Sequence, residues 1–323
     1  MERSVFAKPL GIAKNEFQEL GKETFTTSMI LVKITVPVII ITKILEYFGA
    51  IDYLSKLLEP LMQLMGLPGA CGIVWATGLF TTLYGAMAVF AAIAPGLELT
   101  ILQVTVLGSI LLVAHSLPIE ITITKKAGAG VIPILILRLG GALCLGILMY
   151  QICSYFQVWN EPAIMLFEVD ATDPSLIGWA RSQVINLGLI FLVIFCILAL
   201  MRLLKVLGVI TLLEFLLKPV LPWFGMTYRA APVTVVGMLL GLGYGGALII
   251  RETTAGKMQR EEVFNSLALM SLSHGLVEDT LLMMALGGTL TGLLWGRLLF
   301  SLVVMAILVR LMRLIHWKVN GKR

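Results

Sequence analysis

Residues 113–121 read VAHSLPIEI inside a long apolar stretch, and residues 272–280 read LSHGLVEDT inside another. Each sets a histidine beside a helix-weakening residue, Pro118 or Gly275, and follows it with carboxylates: Glu120 in one, Glu278 and Asp279 in the other. Proline removes a helical N–H and glycine loosens the backbone, so both stretches predict a broken helix. Of the 323 residues, 59% are hydrophobic and 13% are charged, about half the charge of a soluble domain. Apolar runs of roughly 20 residues, the span of a bilayer helix, recur along the chain. The fold class is therefore an all-α polytopic membrane protein. A net charge of +5 offers no basic nucleic-acid surface. Cys71, Cys144, Cys153 and Cys196 lie at no paired spacing and read as small buried hydrophobes. The polar first 23 residues lack the apolar core of a cleaved signal peptide, so the first span is expected to serve as an uncleaved one.

The second stretch is a copy of the first. An offset of 159 residues lays ILEYFGAIDYLSKLLEPLMQLMG (44–66) on LLKVLGVITLLEFLLKPVLPWFG (203–225). Gly49 meets Gly208, Pro60 meets Pro219 and Gly66 meets Gly225; farther on, His115 meets His274, Glu120 meets Asp279 and Arg138 meets Arg297. A one-residue slip brings LYGA (83–86) onto GYGG (243–246). Helical periodicity alone would not align Gly, Pro, His and Arg together, so the chain reads as two homologous halves. Each contains a first span (about 25–47 and 183–204), a proline-bearing amphipathic segment (50–65 and 209–224) and a Gly-Tyr segment (about 68–93 and 230–250). The His-bearing span (about 99–121 and 262–280) and a last apolar span (about 130–154 and 289–314) complete it.

Lys and Arg favour short cytoplasmic loops, which decides how the Gly-Tyr segments lie. If they crossed the membrane, Arg202, Lys205, Lys218 and Arg229 would fall outside and the acidic linker inside. If each is a re-entrant hairpin, Lys125 and Lys126, the basic residues between Arg202 and Arg260 and the basic tail all fall inside. Glu161, Glu168, Asp170 and Asp173 then fall outside. The hairpin reading is the consistent one. Three crossings per half is an odd number, so the halves are inverted repeats, an arrangement common among secondary transporters. The expected organisation is a cytoplasmic segment 1–24, membrane repeat 1 at 25–155, an external linker 156–182, and membrane repeat 2 with a cytoplasmic tail at 183–323.

Broken backbone at membrane depth is tolerated where it is buried or lines a water-filled cavity, and ionisable groups there usually mark ligand or ion paths. The candidate substrate-binding residues at the breaks are His115, Ser116, Glu120, His274, Glu278 and Asp279, with Thr280 beside them. Tyr84–Gly85 and Tyr244–Gly245–Gly246 are expected to form the hairpin bends, with free amides and a stacking ring facing a ligand. The alternative for these glycines is close helix packing. Arg138 and Arg297 stay charged when buried, so each needs an acid, carbonyls or an anionic ligand; Glu120 and Asp279 are at hand. Lys33 and Lys43 lack counterparts and read as snorkelling side chains. His115, Glu120, His274 and Asp279 would be the ligands of any divalent metal. The sequence carries no nucleophile–base pair, phosphate loop or redox cysteine pair, so no enzyme and no cofactor is expected.

These segments resemble the gate-type nucleoside-recognition membrane proteins, a group that includes spore maturation proteins. Its distant kin are concentrative nucleoside transporters and the gate region of ferrous-iron transporters. The resemblance rests on GLFTTLYGAMAVFAA, VLGSILLVAHSLPIEITITKKAG and their second copies GMLLGLGYGGALII and LALMSLSHGLVEDTLLMMALGG. It implies two hairpins and two broken helices meeting at a central site. The Tyr-Gly bends lack the acidic residue a nucleoside transporter would offer, and no Gly-Cys element of the iron gate is present. The expected function is transport of a small polar solute, a nucleoside-like compound or a small anion or ion, by alternating access. The expected setting is a bacterial inner membrane with both termini cytoplasmic, with proton coupling through His115 or His274. The expected partners are that solute and the bilayer, with a second copy or a membrane partner protein as further candidates and no nucleic acid. Two alternatives stand beside this: a non-transport partner in an envelope or spore-maturation assembly, and a divalent-metal-binding or metal-transporting membrane protein.

Overall fold

The computed structural model describes residues 47–166, 175–227 and 230–320, with scattered positions between 21 and 45. Nearly all of the segment 1–24, most of the first span and the middle of the linker lie outside the described residues. Among those described there is no strand, only an isolated antiparallel bridge between Thr100 and Pro162.

The amphipathic segment of the first half forms α1 (Ala50–Gln63), which buries Met62 and leaves Tyr53 and Leu57 exposed. Glu59 accepts the amide of Gly69 at 2.6 Å, tying α1 to the start of the next helix. Two short apolar helices follow, α2 (Ala70–Phe80) and α3 (Leu83–Ile93), packed on each other. The His-bearing span is α4 (Ile101–Val113) and α5 (Leu117–Lys126), separated by the break at 114–116. The last span of this half is α6 (Val131–Tyr155).

The second half opens with α7 (Leu176–Val206) and α8 (Val209–Leu217). Unlike α1, which runs through Pro60, α8 stops before Pro219, and a single tight turn (Leu221–Phe224) carries Pro222. Two prolines three residues apart remove the N–H groups that would continue the helix. The helix pair here is α9 (Ala230–Leu240) and α10 (Leu242–Thr254). The broken span is α11 (Arg260–Ser273) and α12 (Glu278–Ala285). A π-helical turn at Thr291–Gly296 leads into α13 (Arg297–Asn320).

Among the described residues, five helical units are long and apolar enough to cross a membrane: 101–126, 131–155, 180–204, 260–285 and 291–314. The two broken units are the most deeply buried of the five and 180–204 the least, so the units bearing the most polar groups occupy the centre. Their direction is set by the chain between α6 and α7. Residues 157–166 bond to the start of α4 (Ile101 N–H to Glu161 O, 2.9 Å) and to the end of α12 (Leu166 N–H to Ala285 O, 3.0 Å). The start of one broken unit and the end of the other therefore share one end of the molecule, and the two run antiparallel. That shared end holds Glu98 and Glu161 and no lysine or arginine in 94–101, 157–166 or 285–291.

Two apolar cores form. One gathers α2, α3, α4 and the C-terminal part of α6 around Met65, Phe90 and Leu107; the other gathers α9, α10, α11 and part of α13 around Met238, Leu267 and Met305. The breaks lie where one core gives way to the other.

The turns between paired helices are not where the Tyr-Gly motifs place them. The chain turns at Thr81–Thr82 in the first pair and at Gly241, with φ 91°, in the second. Tyr84 and Gly85, like Gly245, lie in the first helical turn after it. The Thr82 hydroxyl caps α3 by accepting the Gly85 amide at 3.3 Å, and the Gly245 amide donates to Gly241 O at 3.1 Å. Neither amide is free for a ligand. Both glycines instead permit close approach: a Cβ on Gly245 would lie 2.3 Å from the Gly237 Cα, and one on Gly85 2.5 Å from Thr81 Oγ1.

Candidate functional site

A broken helix strands backbone groups that lipid cannot satisfy, and each must find a partner. Pro118 cannot donate to Ala114 O; the indole N–H of Trp75 does so at 3.2 Å. His115 O accepts from Arg138 Nη2 at 2.9 Å, and His274 O accepts from Arg297 Nη1 at 3.2 Å. The two arginine–carbonyl bonds fall at equivalent positions of the two halves. The Ser116 amide donates to Gly78 O at 2.8 Å and the Leu276 amide to Met238 O at 2.9 Å, hanging each break on the neighbouring helix pair. Ser116 and Gly275, equivalent under the same offset, both take left-handed backbone, with φ 49° and 56°. The broken units also start alike, with capping boxes Thr100–Gln103 and Gln259–Glu262.

Trp75 is therefore part of the site's frame; a tryptophan in a buried apolar helix needs a partner for its N–H, but the sequence does not name that partner. Trp75→Phe keeps most of the packing and orphans Ala114 O. A loss of about 1–3 kcal/mol of stability is expected, read as a lowered thermal midpoint in detergent.

Between the breaks, the rings of His115 and His274 stack with centroids 4.9 Å apart and planes 19° from parallel. Glu120 bridges the halves, pairing with Arg138 Nη1 through Oε2 and with His274 Nε2 through Oε1 at 3.1 Å. Arg138 and Arg297 are 1% and 0% exposed and Glu120 is 4% exposed. Such charges persist only when compensated. Tyr84 reaches in from α3, its hydroxyl donating to Glu278 Oε1 at 3.3 Å.

The halves differ at one point with chemical consequence. Glu120 reaches its arginine, whereas its equivalent, Asp279, is one methylene shorter. Arg297 turns to Thr280 Oγ1 at 3.3 Å, and the Asp279 carboxylate folds back over Gly275. Asp279 then lies beside the histidines: one ligand atom from each of His115, His274 and Asp279 falls within 4.8 Å of the others. Arg138, Arg297, Glu120, Glu278 and Asp279 together carry one formal negative charge more than positive.

Of the residues singled out from sequence, Tyr84, His115, Ser116, Glu120, Arg138, His274, Glu278, Asp279 and Arg297 converge here. The Tyr244 side chain lies outside the described ones. Gly85 and Gly245 serve helix packing. Trp75 and the carbonyls of Gly78 and Met238 were not anticipated. Thr280 was named without its role as the Arg297 acceptor.

The fold and this buried ionic centre define a polytopic α-helical membrane protein built around two antiparallel broken helices. Residues 29–130 match the family model described as Gate, nucleoside recognition, and that stretch includes His115, Glu120 and the first helix pair. Over 267 residues the chain is 26% identical to the uncharacterized membrane protein YvoD of Bacillus subtilis (strain 168), covering 81% of this chain and 84% of that protein. No solved structure gives a significant match.

Proposed function

We propose that the protein carries a small polar solute across a bacterial inner membrane by alternating access, with its site at the paired helix breaks. The observation that carries this reading is the stacking of His115 on His274 where two antiparallel broken helices pass each other between two apolar cores. Ionisable groups placed there are costly and suit a ligand path. Tyr84, Ser116, Glu278 and Asp279 would meet the solute. Arg138 and Arg297, tied to the breaks' own carbonyls, would hold the backbone open rather than bind it.

The two halves act as inverted repeats, 25–155 and 183–323. The short helix pairs support a re-entrant arrangement: α2, α3 and α9 have 11 residues each, roughly 16 Å, half of a hydrocarbon core about 30 Å thick. The end holding Glu98 and Glu161 without a cation faces outward, and the end with Lys125, Lys126, Lys257 and Arg260 faces the cytoplasm. The excess of carboxylates over guanidinium groups favours a cation or a neutral solute rich in donors over an anion. The Gate match gives nucleoside-like compounds a place among the neutral ones.

A thermal-stability panel of nucleosides, small anions and cations on the purified protein tests this reading. A solute at 100 times its Kd should add about 2.7 kcal/mol of stability. That shift is expected to vanish in His115→Ala/His274→Ala. A shift that survives the double substitution would place the solute elsewhere.

A further inference from the structure

The hydrogen bonds around the two histidines fix more than their position. His115 Nδ1 lies 2.8 Å from Leu111 O. A carbonyl only accepts, so Nδ1 carries the proton and the lone pair of a neutral ring is on Nε2. His274 presents Nε2 to the Glu120 carboxylate at 3.1 Å, so its proton is there and its lone pair is on Nδ1. That Nδ1 is buried without a partner, in a side chain 5% exposed. Opposite tautomers are thus imposed on the two rings, each leaving one donor nitrogen available. An imidazole whose second nitrogen is held by a carboxylate or a backbone carbonyl is the arrangement found behind metal-ligating histidines, because it fixes the tautomer and raises basicity.

From these observations we infer that His115 Nε2, His274 Nδ1 and the Asp279 carboxylate bind a divalent first-row transition-metal ion. Two imidazoles and one carboxylate suit Zn2+, Co2+ or Fe2+, while an all-oxygen site would suit Mg2+ or Ca2+. One ligand atom from each of the three residues lies within 4.8 Å of the others. Donors about 2.1 Å from a common ion are at most about 4.2 Å apart, so the group draws together on loading. Glu120 acts behind the site, orienting His274 and neutralising Arg138. The formal negative excess of the cluster favours a cation. Taking the ion as cargo rests on the transport reading; its binding does not.

Tag-free, chelator-treated full-length protein in detergent is titrated with Co2+ and then Zn2+. One Co2+ per chain is expected, with visible absorption bands that Zn2+ bleaches. His274→Gln, His115→Gln and Asp279→Asn are each expected to lower Co2+ affinity more than tenfold, and Glu120→Gln by about 10- to 100-fold. Wild-type protein that takes up neither metal overturns the inference however the variants fold. So does Co2+ binding that persists unchanged in His115→Gln/His274→Gln. Proteoliposome uptake of the same metal separates the two proposals. Metal bound but never translocated upholds the site and removes the ion as cargo, whereas uptake of another solute by protein that binds no metal upholds the carrier reading and removes the site.

Discussion

Glu120→Ala is expected to be among the most destabilising substitutions in this chain, with a loss of about 3–5 kcal/mol. The size follows from what remains. Arg138 is 1% exposed and would keep its bond to His115 O while losing the only carboxylate paired with it among the described residues. An uncompensated guanidinium at that depth is far costlier than the pair's own net contribution. The double substitution Glu120→Ala/Arg138→Leu should therefore recover much of the loss despite carrying one more change. Unfolding of the single and double variants in detergent measures both. A single variant within about 1 kcal/mol of wild type would mean that Arg138 is hydrated.

The second large effect concerns the packing of α9 on α10. Gly245→Val places a branched side chain where even a Cβ would come within 2.3 Å of the Gly237 backbone, so the helices must separate. Overpacking of this kind costs about 1–3 kcal/mol, and more where the obstacle is main chain. Gly243→Val, two residues earlier on the same helix, meets nothing within 4 Å and should cost little, since valine is a better helix former than glycine. Equal thermal midpoints for the two variants would contradict the close approach. The loss should also reach the site, because the neighbouring Met238 O holds the amide of Leu276 at the second break.

Much of this is legible in the sequence. The 159-residue offset anticipated pairs that the structure repeats in detail: Arg138 and Arg297 on the carbonyls of His115 and His274, and left-handed backbone at Ser116 and Gly275. The offset aligns residues whose roles are local, and local roles survive duplication. The turn positions were misplaced because Tyr-Gly is the more conspicuous signal, whereas Thr82 caps and Gly241 turns. Trp75 escaped because a lone indole in an apolar run resembles any core aromatic until its acceptor, 39 residues away, is in view. The departure from symmetry at Asp279 was visible as Asp against Glu. What one methylene does to an ion pair depends on a distance that sequence does not contain.

The most direct measurement is the sided reactivity of a thiol at the first break. Ser116→Cys, in a background with all four native cysteines replaced, puts a half-buried thiol beside His115. Right-side-out and inside-out vesicles are each treated with a membrane-impermeant thiol reagent. A site that opens alternately to the two sides must be labelled from both faces, and bound solute or metal should slow the reaction. Labelling from one face only, or from neither, would contradict alternating access and leave the paired breaks a structural feature.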